Sequence, residues 1–149
     1  NVKSGLLNVH QNTNFIGRWF EFSKNPLTIC DTGHNQAGLE EVFKQLNEYS
    51  QKKHIILGFV NDKKIDNVIP MLPSEARFYF VKPSVGRGRH PEDYQDLLKK
   101  SKLNYKIFDS VQEGYLAAKQ NCKKEEMIFI GGSNFVVGDF LEKNLQTKE

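Results

Sequence analysis

Four short segments of the sequence carry side chains that can bind a small ligand bearing both negative groups and hydroxyls. They read DTGHN at 31–35, GFVNDK at 58–63, KPSVGR at 82–87 and GGSN at 131–134. Arginine and lysine bind phosphate or carboxylate, whereas a carboxylate such as Asp31 suits ribose hydroxyls. Glycines in the same segments allow a backbone to come close to a partner. The combination predicts a site for a ligand such as a nucleotide beside an amino acid.

Each segment also has a purely structural interpretation. Asp31 and Asn35 are residue types that cap the first turn of a helix, and the Gly-Gly-Ser run at 131–133 is typical of a tight turn followed by a cap. Taken singly, His34 is typical of a surface histidine and Lys63 of a solvated charge. The placement of the segments favours binding, because all four follow predicted strands and would meet at one edge of a parallel sheet.

Several other chemistries are excluded by the sequence. It contains no GxxxxGK[ST] pattern, so this chain cannot form a P-loop, and HExxH and GxSxG are absent as well. Cys30 and Cys122 lie far apart and no Cys/His group has zinc spacing, so we expect no metal-ligating residues. Cys30 ends an apolar run and is expected in the core rather than as a reactive thiol.

The elements that position these segments alternate short apolar runs with helical patterns, which is typical of an α/β protein with a mainly parallel sheet. The runs at 18–23 and 27–30 are separated by three residues and predict a hairpin, with one strand antiparallel at the sheet edge. Further strands are predicted at 54–58, 77–81, 105–108 and 127–130.

Helices are predicted between the strands from apolar residues spaced i, i+3, i+4, i+7. The clearest stripes predict helices at about 36–49 and at 65–72. Pro91 suits the first turn of a further helix, and the S-x-x-E pattern at 110–113 is a capping box that opens the next one. A last apolar stripe, at 136–141, predicts the final helix.

Length and composition favour a single globular domain. The 149 residues are 38% hydrophobic and 26% charged, which argues against disorder. A net charge of +3 without a long basic run argues against nucleic-acid binding, and no apolar stretch reaches the ~18 residues of a membrane span. The lack of a signal-peptide pattern favours the cytoplasm. Because the chain begins at Asn1 rather than Met, we expect residues 1–14 to form a linker into an excised domain at 15–149.

At the ligand-binding segments the sequence resembles the folylpolyglutamate synthase and dihydrofolate synthase family, a branch of the Mur-ligase superfamily. The matching pieces follow the order and spacing of the family from about residue 17 to residue 141. Together they are more specific for the folate branch than for the cell-wall ligases. They read GRWFE at 17–21, DTGHN at 31–35, LGFVNDK at 57–63, SVGR at 84–87 and GSNFVVG at 132–138.

The resemblance implies the C-terminal domain of an ATP-dependent amide ligase. It implies a Rossmann-like, three-layer fold whose mostly parallel sheet has about six strands and one antiparallel edge strand. Such enzymes use ATP and Mg²⁺ to phosphorylate a carboxyl group of a pteroate or folate, and the amine of L-glutamate then attacks the acyl phosphate. In the family an N-terminal domain supplies the P-loop, most metal ligands and most of the folate site. This chain would need that domain as its partner and would be inactive alone.

The resemblance also implies roles for individual residues. Arg18 would contact the ATP phosphates and Asp31 the ribose. His34 matches the family's catalytic histidine, which lies beside ATP and glutamate. Lys63 and Ser133 would help to hold the glutamate carboxylates.

Two assignments stay open within the resemblance. Arg87 matches a recurrent arginine that either binds glutamate or fixes its loop, and Asn35, beside the nucleotide, would serve mainly as a helix cap. The chain as a whole has two alternatives, namely a free-standing nucleotide or small-anion binding module without catalysis, and the C-terminal domain of another Mur-type ligase. Whether the enzyme makes dihydrofolate, extends polyglutamate tails or does both is not fixed by this domain, because the pterin site lies elsewhere.

Overall fold

One mixed sheet with helices on both faces forms the structure. The computed structural model describes residues 18–61 and 65–148, so the predicted linker at 1–14 and the predicted ligand Lys63 lie outside the described residues. The strands are β1 (Phe20–Lys24), β2 (Leu27–Cys30), β3 (Lys53–Gly58), β4 (Arg77–Val81), β5 (Asn104–Phe108) and β6 (Met127–Gly131). The helices are α1 (Gln36–Leu46), α2 (Ile65–Val68), α3 (Gln95–Lys100), α4 (Val111–Asn121) and α5 (Asn134–Lys148).

The strand order confirms the predicted mostly parallel sheet. The strands lie in the order β1-β2-β6-β3-β4-β5, and all neighbouring pairs are parallel except β1 with β2. That antiparallel pair is the predicted hairpin, and β1 is the edge strand. β1 begins at Phe20, two residues later than predicted, because Trp19 has a φ of 45° and extended backbone cannot continue through a left-handed residue.

The helices divide the core into two layers. α1, α2 and α3 pack on one face of the sheet, whereas α4 and α5 pack on the other. The buried residues of α1 are Leu39, Val42, Phe43 and Leu46, which confirms the predicted apolar stripe. Strands β3, β4 and β6 are buried along almost their whole length, as parallel strands covered on both faces must be.

Two predicted helices have different bounds in the structure. The stripe at 65–72 forms only four α-helical residues, because Pro70 lacks an N–H for the helical ladder and the chain continues as a 3₁₀ turn, Ile69–Met71. A second 3₁₀ turn, Pro91–Tyr94, precedes α3. The predicted N-cap at Ser110 is confirmed, since Glu113 N–H donates to Ser110 Oγ at 3.2 Å, and the Ser110 hydroxyl donates to Glu113 Oε2 at 3.1 Å. None of the described helices has the length and apolar character needed to cross a membrane.

The connections after β2 and β6 leave these neighbouring strands toward opposite faces. The chain after β2 enters α1 on the first face, whereas the chain after β6 enters α5 on the second. The carboxyl ends of β2, β6 and β3 therefore form a switch point of the sheet, which is where open α/β sheets bind ligands.

Two glycines at this switch point are required by close packing. Gly132 has a φ of +101°, and a Cβ atom there would lie 2.5 Å from the carbonyl oxygen of Gly58. A Cβ atom on Gly58 would lie 2.7 Å from Val136 Cγ2. The loop after β6 thus packs closely against the end of β3, and this contact fixes the position at which α5 begins.

We expect Gly132→Ala to lower the free energy of unfolding by at least about 2 kcal/mol, because the added methyl combines a positive φ with a clash against backbone. Gly86→Ala is the matched control, since a Cβ atom there meets nothing within 4 Å. Urea denaturation of both variants measures the difference. Equal stabilities for the two variants would show that the close contact of Gly132 with Gly58 does not contribute to stability.

Candidate functional site

The predicted site residues within the described part of the chain lie at the carboxyl edge of the sheet. Asp31, His34 and Asn35 lie between β2 and α1, and Arg18 lies just before β1. Arg87 lies in the loop after β4, and Ser133 lies in the loop after β6. The loops after β2 and β6 touch, because Asp31 N–H donates to the carbonyl of Ile130 at 3.1 Å. The edge that the sequence predicted is therefore formed.

Asp31 holds the loop after β2 to the segment before β1. Its Oδ2 accepts from the backbone N–H of Trp19 at 2.9 Å and its Oδ1 from that of Gly33 at 2.7 Å. Hydrogen bonds to a carboxylate are stronger than neutral ones, so both segments are fixed by one side chain. Each oxygen keeps a second lone pair that can accept from a ligand hydroxyl.

Trp19 anchors the segment that carries Arg18. Its indole packs against Phe129 and Tyr49, with ring centroids 6.1 Å away in both cases, and its Nε1–H donates to Tyr49 Oη at 3.2 Å. Arg18 itself is exposed. Trp19 belongs to the GRWFE motif, but nothing in the spacing of that motif indicates that the tryptophan positions the neighbouring arginine.

His34 and Asn35 occupy the start of α1. Asn35 Oδ1 accepts from Gly38 N–H at 2.7 Å, which confirms the predicted helix cap. The ring of His34 is exposed, and its Nδ1 lies 3.4 Å from the carbonyl oxygen of Thr32. This weak contact orients the imidazole locally while the other ring nitrogen points away from that carbonyl, so the histidine can meet a ligand at the helix N-terminus.

Ser133 caps α5 and is nearly inaccessible. Its Oγ accepts from Val136 N–H at 3.1 Å, and the residue is only 2% exposed. The structural interpretation of this serine as an N-cap is therefore confirmed. The hydroxyl sets the start of α5, whose N-terminus carries a partial positive charge.

Arg87 lies beside that same helix N-terminus. Its guanidinium carbon is 5.4 Å from the ring centroid of Phe135, the second residue of α5. Its carbonyl accepts from Asn61 N–H at 2.9 Å, so the backbone of this residue joins the loop after β4 to the loop after β3. Arg87 thus fixes a loop with its backbone and presents its exposed guanidinium at α5.

A pair missed by the sequence analysis holds the Arg87 loop in place. Asp139, on α5, accepts from the backbone N–H of Ser84 at 2.8 Å and from its hydroxyl at 2.7 Å. The two residues are 55 positions apart, so no local pattern could reveal the pair. They line a cleft of about 750 Å³ between this loop, α4 and α5, and none of the predicted ligand residues lines it. The cleft is therefore separate from the residues that carry the predicted chemistry.

The cysteines do not form part of the site. Cys30 is fully buried in β2, and burial raises the pKa of its thiol, which confirms that it is a core residue. Burial and the carboxylates of Glu126 and Glu125 raise the pKa of Cys122 to about 11. Both thiols are therefore protonated at neutral pH and are poor nucleophiles.

The arrangement at the carboxyl edge can bind an anionic ligand in two places. One lies at the N-terminus of α1 beside His34, where the bond from Trp19 N–H to Asp31 ties the segment that carries Arg18 to the same loop. The other lies at the N-terminus of α5 with the guanidinium of Arg87. Helix N-termini and arginine both favour phosphate or carboxylate, and Asp31 adds an acceptor for hydroxyls.

The chain is similar in sequence to known proteins. The family described as Mur ligase, glutamate ligase domain matches residues 17–134. The chain is 27% identical to the Escherichia coli (strain K12) dihydrofolate synthase/folylpolyglutamate synthase over 129 residues, which are 85% of this chain and 30% of that protein. It is 25% identical over 128 residues to the protein of the same name from Buchnera aphidicola subsp. Schizaphis graminum, covering 84% of this chain and 30% of the relative.

Solved structures show the same fold. The structure of E. coli FolC in complex with DHPP and ADP superposes with a TM-score of 0.79 at 25% identity, over 89% of this chain and 32% of the other. The Yersinia pestis bifunctional folylpolyglutamate synthase/dihydrofolate synthase with Mn, AMPPNP and L-glutamate bound superposes with a TM-score of 0.73 at 21% identity, over 84% of this chain and 30% of the other. The chain thus spans about a third of the length of these relatives.

We expect Asp31→Asn to lower the free energy of unfolding by about 1–3 kcal/mol, because one of the two backbone donors would then face an amide NH₂ instead of an acceptor. The control is Asp96→Asn, an exposed carboxylate in the first turn of α3, which should change stability by about 0.5 kcal/mol or less. Chemical denaturation of the two variants and the wild type measures these differences in the free energy of unfolding. A wild-type value for Asp31→Asn would mean that the carboxylate does not hold the two segments together.

Proposed function

The chain belongs to the Mur ligase, glutamate ligase domain family, and we propose that it is the C-terminal domain of an ATP-dependent ligase that adds L-glutamate to dihydropteroate or folate. The observation that carries the proposal is the pair of helix N-termini at the carboxyl edge, one beside His34 and one beside Arg87. Two anionic substrates, a nucleotide and an amino acid, fit such a pair. The names of the relatives support the folate branch.

The proposed reaction has two steps. The carboxylate of the pteroate or folate attacks the γ-phosphorus of ATP, so that an acyl phosphate forms and ADP leaves. The neutral amine of glutamate then attacks the acyl carbon, and inorganic phosphate leaves with the electrons of the broken C–O bond. The nitrogen loses one proton, to the leaving phosphate or to solvent, as the amide forms. Both steps build up negative charge on phosphate oxygens, so positioning and positive groups supply most of the rate enhancement.

The start of α1 is proposed as the nucleotide side. Arg18 contacts the phosphates, and Asp31 accepts from the ribose hydroxyls with the lone pairs that its backbone bonds leave free. Asn35 contributes to nucleotide binding indirectly. It caps α1, and the cap fixes the first turn, whose free N–H groups face the carboxyl edge of the sheet. His34 lies between the nucleotide and the glutamate, and it is the residue we propose as catalytic.

The start of α5 is proposed as the glutamate side. Arg87 binds a glutamate carboxylate with a guanidinium held over Phe135. Ser133 is too buried to make a broad contact with glutamate, so it contributes by fixing the N-terminus of α5. Lys63, which the family resemblance assigns to the same carboxylates, stays part of the proposal, although it lies outside the described residues.

We assign no Mg²⁺ ligand to this domain. Magnesium prefers carboxylate oxygens and water, and the one carboxylate among the proposed site residues, Asp31, is assigned to the ribose hydroxyls and to two backbone N–H groups. The ion that such ligases use would therefore come with a second domain, which would also supply the P-loop that this sequence lacks. That domain is the partner we propose, in a cytoplasmic enzyme.

We expect the isolated chain to release no ADP from ATP when glutamate and a pteroate are supplied with Mg²⁺, because it has no P-loop. A coupled assay for ADP tests this, and isothermal titration calorimetry with ATP serves as its companion. Very weak ATP binding agrees with a site shared between two domains. Micromolar ATP binding without turnover would instead favour a free-standing nucleotide-binding module, and turnover by the chain alone would overturn the proposal.

In the full-length enzyme, Arg87→Ala should raise the KM for glutamate roughly tenfold or more, because a charged hydrogen bond to a carboxylate is lost. Arg89→Ala is a matched control, since Arg89 also stacks on an aromatic ring, that of Tyr94, at 5.4 Å. The KM for ATP should change little in either variant. Equal glutamate KM values for the two variants would assign Arg87 to loop fixing alone.

A further inference from the structure

Three side chains with metal-binding atoms meet at the edge of the sheet opposite the candidate site. One ligand atom each from His54, Cys122 and Glu126 lie within 4.8 Å of one another. His54 lies at the start of β3, Cys122 follows the end of α4, and Glu126 immediately precedes β6. None of the three takes part in the proposed ligase chemistry, since they lie at the amino ends of the strands.

The donor atoms are an imidazole nitrogen, a thiol sulfur and a carboxylate oxygen. This set suits zinc, which binds histidine, cysteine and carboxylates in tetrahedral sites, whereas Mg²⁺ and Ca²⁺ prefer oxygen alone. We propose that the cluster of His54, Cys122 and Glu126 is a binding site for Zn²⁺ or a similar borderline divalent cation, with water as the fourth ligand.

The surroundings of His54 fit this role. The residue is 2% exposed, and its Nε2 lies 2.8 Å from Glu126 Oε1. Its Nδ1 lies 2.9 Å from the hydroxyl of Tyr79, which in turn accepts from Asn121 Nδ2 at 3.4 Å. A metal-bound histidine needs such a partner for its second nitrogen, because that bond fixes the tautomer and the ring orientation. With Nε2 on the ion, Nδ1–H donates to Tyr79.

The other two ligands come from a short, well-tied loop. Lys123 N–H donates to Glu126 Oε1 at 3.0 Å, and Glu126 N–H donates to the carbonyl of Lys123 at 3.0 Å. The loop therefore holds Cys122 and Glu126 in fixed relation. Both residues are partly exposed, so an ion can enter from solvent. Binding requires Nε2 and Oε1, now 2.8 Å apart, to separate by roughly half an ångström or slightly more, since ligands of one tetrahedral zinc lie roughly 3.3–3.5 Å apart.

The charges at the cluster also favour a cation. Glu126 brings one carboxylate to the cluster and Glu125 is a second acidic residue beside it, and a divalent cation is attracted to both. On binding, the Cys122 thiol gives its proton to solvent. Without an ion, His54 and Glu126 form an ordinary hydrogen-bonded pair, and this is the arrangement against which the proposal is tested.

The test is calorimetric titration of the reduced chain with ZnCl₂. We expect one Zn²⁺ per chain, and at a hundredfold excess over the dissociation constant the melting temperature should rise by about 5 °C or more. Cys122→Ser and Glu126→Gln should each weaken binding at least about tenfold. Asp109→Asn is the matched control, because Asp109 forms the exposed pair with His90 Nε2 at 2.6 Å and should not affect the titration.

Cobalt gives a second readout that does not depend on stability. Co²⁺ bound to Cys122 should produce a thiolate-to-metal charge-transfer absorption that Cys122→Ser abolishes, while circular dichroism shows that the variant is folded. Absence of Zn²⁺ binding, or equal affinity in the wild type and Cys122→Ser, would overturn the proposal and leave a hydrogen-bonded pair. Loss of binding in Asp109→Asn would assign the ion to the surface pair instead.

Discussion

The contact between the loop after β6 and the end of β3 is the constraint on which the candidate site depends. Gly132 adopts a backbone conformation with a positive φ and lies against the carbonyl of Gly58, with no room for a side chain at either residue. Because the loop turns there, α5 begins at Asn134 and leaves toward the second face of the sheet. The same turn places Ser133 as the cap and brings Phe135 beneath the guanidinium of Arg87.

Backbone groups, more than side-chain contacts between ligand residues, hold the rest of the edge in place. Asp31 ties two segments through their N–H groups, and Asp139 ties the Arg87 loop to α5 through Ser84. Such bonds fix loops that have little apolar surface to bury, and they leave His34 and Arg87 exposed for a ligand. The two edges of the sheet thus have separate proposed roles: substrate binding at the carboxyl ends of the strands and metal binding at the amino ends.

The main elements of the fold could be read from local patterns. Central strands such as Arg77–Val81 are continuous apolar runs because both faces are covered, and the stripe of α1 repeats at helical spacing. The capping box at Ser110 is likewise a matter of four consecutive residues. The 65–72 segment was predicted less well, since its apolar spacing hides the effect of Pro70 on the helical ladder. β1 was predicted to begin too early because the left-handed conformation of Trp19 has no signature in its residue type.

The sequence by itself determined which groups are available for chemistry and on which edge of the sheet they gather, because a side chain's type and its place after a strand are local properties. Only the tertiary structure decided how those groups are used. It turned Ser133 into a buried cap, gave both oxygens of Asp31 to backbone donors and set Arg87 over Phe135. It also joined His54 to Glu126 across 72 positions, where spacing had indicated no metal ligands. Contacts of that kind depend on strand order and register, which bring distant residues together and leave no trace in the local sequence.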